Sequence, residues 1–211
     1  MIVIIDYGMG NIKSVQHALA YLGYQVKLSD EPEEITKADG VILPGVGAFP
    51  DAIRVLVNKK LDKAIKAFTA QGKPFLGICL GMQLLFSYSD EHGYSKGLDL
   101  IPGKVVRFSA PLKVPHLGWN QIVYPERNTK HFILFQGVKT RSYFYFLHSY
   151  YCVPEYKEEE IAFSYYGHYF TSAVRKDNIW GVQFHPEKSS KQGLQVLKKF
   201  GEITNDNYSS H

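Results

Sequence analysis

Along the first ninety positions, short and mostly apolar runs alternate with stretches whose apolar residues recur at helical spacing. Ile2 to Ile5, Gln25 to Leu28, Asp39 to Leu43 and Phe75 to Ile78 read as strands, most of them apolar on both sides. Between them, Asn11 is placed to cap a helix running through Leu22, and further helices are predicted over Ala48 to Val57 and Leu61 to Gln71. Strands that alternate with helices predict an α/β fold: a mostly parallel sheet covered by helices on both faces. In such sheets ligands bind beyond the carboxyl ends of the strands.

The pattern changes after Gly103. Lys104 to Phe108, Gln121 to Tyr124, Tyr143 to Leu147, Glu160 to Tyr165, Tyr169 to Val174 and Ile179 to Val182 are short runs rich in aromatic and β-branched residues, separated by turn residues. They predict mixed and antiparallel pairing, a smaller antiparallel sheet beside the parallel one. Lys191 to Phe200 returns to helical spacing and closes the fold. A single domain over residues 1–203 is expected, with 204–211 as a polar, frayed tail.

Three strand ends carry chemistry. Gly77-Ile78-Cys79-Leu80-Gly81 is an apolar run that stops at a glycine-bracketed cysteine and continues as a helix. A sharp strand-to-helix turn exposes a nucleophile, and a helix N-terminus favours thiolate and offers free backbone N–H groups to an oxyanion. The bland alternative is a small buried cysteine. Gly181-Val182-Gln183-Phe184-His185-Pro186-Glu187 supplies a base and an orienting carboxylate. Pro186 biases His185 to an extended conformation, in which residues two apart face one way, bringing Glu187 toward the imidazole. Pro44-Gly45-Val46-Gly47 is a third corner, whose glycines let backbone N–H groups turn toward a ligand at low steric cost. Gly45, Cys79 and His185 all end such runs, so one crevice is expected to collect them.

These three pieces resemble the class I, triad-type glutamine amidotransferases. Ile5-Asp6-Tyr7-Gly8-Met9-Gly10-Asn11, Pro115-His116-Leu117-Gly118-Trp119-Asn120, Tyr145-Phe146-Leu147-His148-Ser149-Tyr150-Tyr151 and Gln183 to Ser190 extend the likeness over nearly the whole chain. The series is similar to the glutaminase-subunit family of imidazole glycerol phosphate synthases. It departs at Asp99, where glycine is expected, and at Leu117, where methionine is usual. The resemblance implies a flavodoxin-like sheet and hydrolysis of L-glutamine by Cys79, His185 and Glu187. It implies oxyanion donors from the backbone of Leu80 and of Gly45, Val46 or Gly47, and a glutamine pocket holding Gly47, Gln83, Glu91, Tyr145 and Ser149. It also implies a (β/α)8-barrel cyclase partner, with Asn11, Trp119 and Lys188 near the interface. That partner uses the ammonia to make imidazole glycerol phosphate and aminoimidazole carboxamide ribotide in histidine biosynthesis. A paralogue feeding ammonia to another barrel in amidino-sugar synthesis is the alternative that Asp99 leaves open.

Composition removes other classes. The net charge of +4 comes without a dense Lys/Arg run interleaved with aromatics, which speaks against nucleic acid. No segment approaches ~20 unbroken apolar residues, and the chain enters a strand at once with no leader pattern, so neither a membrane nor a secretory route is expected. Two cysteines make no disulfide framework, which fits a cytoplasmic setting. The eight histidines show no metal-ligand spacing, and Asp6-Tyr7-Gly8-Met9-Gly10 lacks the third glycine of a dinucleotide turn. No cofactor is expected.

Overall fold

The structure is a computed structural model that describes residues 1–125 and 133–206. Strands β1 (Ile2–Ile5), β2 (Val26–Ser29), β3 (Gly40–Gly45), β4 (Phe75–Cys79) and β13 (Ile179–Val182) lie parallel in the order β2-β1-β3-β4-β13. The sheet continues through β12 (His168–Lys176), β10 (Tyr150–Pro154), β7 (Ile101–Arg107), β5 (Phe86–Ser89) and β6 (Ser95–Lys96), largely antiparallel, while β11 (Glu160–Tyr166) pairs with β12. Most of the antiparallel strands thus extend the main sheet. The separate small sheet is a ribbon of β8 (His116–Gln121) and β9 (Tyr143–His148).

Helices cover both faces. Along β1, Ile2 and Ile4 join one buried cluster while Val3 and Ile5 join the other, the period of two expected of a strand buried on both sides. The first cluster takes Ile12, Val15 and Leu19 from α1 (Ile12–Tyr21) and Val196, Leu197, Phe200 and Ile203 from α6 (Ser190–Asp206). The second takes Ile35 from α2 (Pro32–Lys37), Phe49, Ala52 and Leu56 from α3 (Phe49–Asn58), and Leu61, Ile65 and Phe68 from α4 (Leu61–Thr69).

Three expectations need correction. The helix does not stop before Thr204: α6 runs to Asp206, with Thr204 buried and its hydroxyl donating to the Phe200 carbonyl. Residues 207–211 of the expected tail lie outside the described residues. The run Gln121 to Tyr124 is not the strand; β8 ends at Gln121, because pairing in register with Tyr143–His148 outweighs the local β-branched signal, and Val123 makes only an isolated bridge to Phe163. Asn11 stands at the N-cap of α1 but makes no side-chain capping bond.

Candidate active site

The β4 strand ends at Cys79, whose backbone sits at φ 55° and ψ −111° before the five-residue helix α5 (Leu80–Leu84). An L-residue at positive φ is strained, and such strain clusters at functional positions. The bracketing glycines are required by close crossings of backbone. A Cβ on Gly81 would lie 1.8 Å from the Leu43 carbonyl oxygen, and one on Gly77 would lie 2.6 Å from the Gly81 carbonyl oxygen. Gly45, the β3 partner of Cys79, has no room either: its Cβ would meet the Tyr7 hydroxyl at 2.7 Å and Leu80 Cβ at 2.9 Å. Gly47 adopts φ +101°, so the corner it makes suits glycine alone.

His185 follows β13, the other neighbour of β4. Its backbone N–H donates to the Tyr145 carbonyl at 2.9 Å, and its carbonyl accepts from Ser189 Oγ at 2.6 Å. His185 Nδ1 lies 3.0 Å from Glu187 Oε1. A carboxylate only accepts, so Nδ1 carries the proton, and Nε2, buried with no hydrogen-bond partner of its own, is left for chemistry. Glu187 does reach the imidazole, but by a different route from the extended chain expected: Pro186–Lys188 forms a 3-10 turn that folds the carboxylate back. Burial disfavours the imidazolium, yet the charge and hydrogen-bonding reach of Cys79, together with Glu187, outweigh it and raise His185 from 6.5 to about 10. The Cys79 sulfur points toward the Leu147 carbonyl at 3.7 Å and receives Gln183 Nε2 at 3.8 Å.

A cavity of about 260 Å³ opens over the sulfur, lined by Cys79, His185, Val46, Gly47, Leu80, Gln83, Glu91, Ser149 and Lys188, with Leu147 and His148 at its wall. Eight residues expected at the site from sequence thus share one cavity with Lys188, which was expected near a partner. Tyr145 does not line it; it packs beside His185, ring centroids 6.4 Å apart, under Lys188 Nζ at 5.9 Å. Glu91 has a second task, because its Oε2 accepts from the Phe49 backbone N–H at 2.8 Å at the start of α3. Asn11 donates to Glu187 Oε1 at 3.2 Å and so sits behind the carboxylate.

The β8–β9 ribbon has two unlike faces. His116, Phe144, Phe146 and His148 are buried, whereas Leu117, Trp119, Tyr143 and Leu147 are exposed, Leu147 at the cavity wall. Inside, His148 Nδ1 faces the Tyr150 carbonyl at 2.8 Å and so bears hydrogen; its Nε2 accepts from His116 Nδ1 at 3.0 Å. Burial keeps both rings neutral, lowering His116 to about 4 and His148 to about 3. Neither this pair nor the Gln183 contact carried a spacing signal. Among the described residues no group of three or more His, Cys, Asp or Glu side chains is arranged to hold a metal, and no helix is long and apolar enough to cross a membrane.

A cysteine at a strained strand-to-helix turn, beside a His–carboxylate pair that follows the adjoining strand, is an arrangement of the kind that thiol-dependent acyl transfer requires. The family model described as glutamine amidotransferase class-I matches residues 3–203. The imidazole glycerol phosphate synthase subunit HisH of Moorella thermoacetica is 54% identical over 202 residues, covering 96% of this chain and 94% of that one. The same subunit of Desulfitobacterium hafniense DCB-2 is 49% identical over 213 residues, 100% and 99% of the two chains. A glutamine amidotransferase crystal structure shares the fold at TM-score 0.75, with 16% identity over 96% of this chain and 98% of its own. The chain therefore belongs to the class-I glutamine amidotransferase family and, within it, to the family of imidazole glycerol phosphate synthase HisH subunits.

Proposed function

We propose that this chain is one glutamine amidotransferase domain, α6 included, that hydrolyses L-glutamine and delivers the ammonia to a (β/α)8-barrel cyclase in histidine biosynthesis. The observation that carries the reading is that Cys79 and His185 line one cavity while Glu187 Oε1 lies 3.0 Å from His185 Nδ1. The Cys79 thiolate attacks the carboxamide carbon. The backbone N–H of Leu80 and one from Gly45 to Gly47 hold the oxyanion, each such donor contributing about 3 kcal/mol to transition-state binding. The His185 imidazolium gives its Nε2 proton to the leaving ammonia, and Glu187 stabilises that cation. A water molecule, deprotonated by His185, then cleaves the thioester to release glutamate and restore the sulfur. Gln83 spends both amide hydrogens inside the protein, so toward substrate it offers an acceptor, suited to the α-ammonium group.

Ammonia released to water at neutral pH is mostly protonated and lost as a nucleophile, so the acceptor site belongs on a docked partner. The exposed apolar face of the β8–β9 ribbon, with Trp119 and with Lys188 at the cavity, suits that docking, and Asn11 links it to Glu187. A cytoplasmic setting keeps both cysteines free, as they are here. The amidino-sugar alternative leaned on Asp99. That residue stands at φ 57°, the region that favours glycine, and ties its carboxylate to Ser87 Oγ at 2.6 Å, away from the cavity lining. The departure is thus accommodated locally.

Glutamine turnover by the chain alone, with the cyclase, and with the cyclase plus its nucleotide substrate tests the reading. An oxyanion donor that turns inward at Gly47 only in the full complex gives roughly a hundredfold rise in the third state. Equal turnover in all three states contradicts partner-gated hydrolysis.

A further inference from the structure

Behind the cavity, two buried glutamines form a polar chain that ends on the reactive sulfur. Gln83 Nε2 donates to the Tyr150 carbonyl at 2.9 Å and to Gln183 Oε1 at 3.1 Å, and Gln183 Nε2 lies 3.8 Å from Cys79 Sγ. Gln183 is wholly buried and Gln83 nearly so. The direction of the chain follows from its anchor. A backbone carbonyl only accepts, so the Gln83 group facing Tyr150 is its NH2. The second hydrogen of that NH2 faces Gln183, which must present its oxygen. The Gln183 NH2 is then left for the sulfur. Reversing Gln183 would oppose two NH2 groups and leave a Gln83 N–H without its acceptor between two buried side chains.

The sheet fixes this placement. Val182 pairs with Ile78 in parallel register, so the next residues on the two strands, Gln183 and Cys79, are neighbours, and the Gln183 backbone N–H is held by the Ser172 carbonyl at 2.9 Å. The sulfur therefore meets two opposed groups. The Leu147 carbonyl accepts from a thiol S–H and favours the neutral form. An N–H aimed at sulfur favours the anion, since hydrogen bonds to an ionised partner are roughly twice as strong as neutral ones.

We propose that Gln183, locked in direction by Gln83 and the Tyr150 carbonyl, is the positioning residue that holds Cys79 as thiolate and aims its free lone pairs into the cavity. The role rests on Cys79 being the nucleophile of the proposed glutaminase. The ionisable groups around the sulfur, among the described residues, are His185, Glu187 and Lys188 after β13, Tyr7 after β1, Glu91 after β5, His148 on β9 and Cys152 on β10. Burial keeps Tyr7, His148 and Cys152 uncharged near neutral pH, so among the described residues the charges that reach the sulfur come from His185 and from the cavity wall, where Lys188 and Glu91 stand.

Alkylation of Cys79 by iodoacetamide in the full chain, followed across pH by mass spectrometry of its peptide, tests the proposal without glutamine or partner. In Gln183→Met, which keeps volume and loses the donor, the pH profile moves upward and the rate at pH 7 falls roughly tenfold, the loss of one hydrogen bond to a charged group, while the high-pH plateau is retained. Gln83→Met leaves Gln183 in place but frees it to turn, and shifts the profile the same way by less. Profiles that superpose on the parent in Gln183→Met overturn the proposal. If that variant does not fold, an unshifted profile in Gln83→Met overturns it instead. A shifted profile in a chain that never hydrolyses glutamine defeats the glutaminase reading alone; active hydrolysis with an unshifted profile defeats only the role of Gln183.

Discussion

Asn11 Nδ2 donates to Glu187 Oε1 at 3.2 Å across 176 positions of chain, and its own Oδ1 accepts from Ser14 Oγ at 2.8 Å. The asparagine at the start of α1 thus braces the carboxylate that orients His185. Glu187 Oε2 is buried without a partner, so Oε1 carries the orientation through His185 and Asn11 together.

Asn11→Leu removes that brace and keeps the bulk. A hydrogen bond to a charged group is worth about 1.5–3 kcal/mol, so the glutaminase kcat in the full complex is expected to fall roughly tenfold or more. KM for glutamine should change little, because Asn11 does not line the cavity. Glu187→Gln should fold normally and lose more, since the imidazolium loses its counter-charge. Steady-state kinetics of both variants check this; unchanged kcat in Asn11→Leu contradicts the brace.

His185 is raised to about 10 by groups that include Cys79. A raised value means that the folded state holds the proton more tightly than the unfolded chain. The stabilisation is complete below about 6.5 and is lost as pH rises through about 10. In Cys79→Ala the neighbouring negative charge is gone, so His185 is expected to titrate lower. Imidazole NMR shifts across pH, parent against variant, read this directly; coincident titrations contradict the coupling of base to sulfur.

His116 and His148 act in the opposite sense. Both are depressed, to about 4 and about 3, so below about 6.5 the unfolded chain binds protons that the folded one refuses. Stability should therefore decline as pH falls from about 6.5 toward 4. Denaturant midpoints across that range measure the slope. His116→Phe, which keeps a ring against Phe146 and Tyr166, should flatten it despite a lower starting stability.

Gly81→Ala tests the turn itself. Its Cβ would fall 1.8 Å from the Leu43 carbonyl oxygen, a backbone atom of β3 that cannot swing aside. A loss of about 3 kcal/mol or more is expected, at the upper end for overpacking. Equilibrium urea unfolding measures it, and a loss below about 1 kcal/mol would mean that β3 and α5 are free to separate.

The parts of the site readable from sequence were those with a local backbone reason. Cys79 stood out because glycines bracket it, and each proved to be a close crossing of chain. His185 stood out because proline follows it. The carboxylate was identified correctly for an incomplete reason, since a 3-10 turn carries Glu187 back to the ring. Gln183 lay within a quoted motif yet gave no signal, because an amide on a buried strand acquires meaning only when Cys79 becomes its neighbour in the sheet. Asn11 looked like a cap because capping is local, while its real partner is 176 residues away. In the fold, β10 escaped notice because β9 passes into it at Ser149 with no turn residues to divide them. The mistaken strand at Gln121 to Tyr124 reflects the same limit: β propensity is local, and pairing is not.

The most direct test of the central claim compares glutamine with ammonia as nitrogen source in the assembled complex. Cys79→Ala removes the sulfur and leaves the partner's acceptor site intact. Synthesis from glutamine should vanish, while synthesis from added ammonia should match that of the parent complex. Substantial glutamine-dependent synthesis by Cys79→Ala would take Cys79 out of the chemistry and contradict the account.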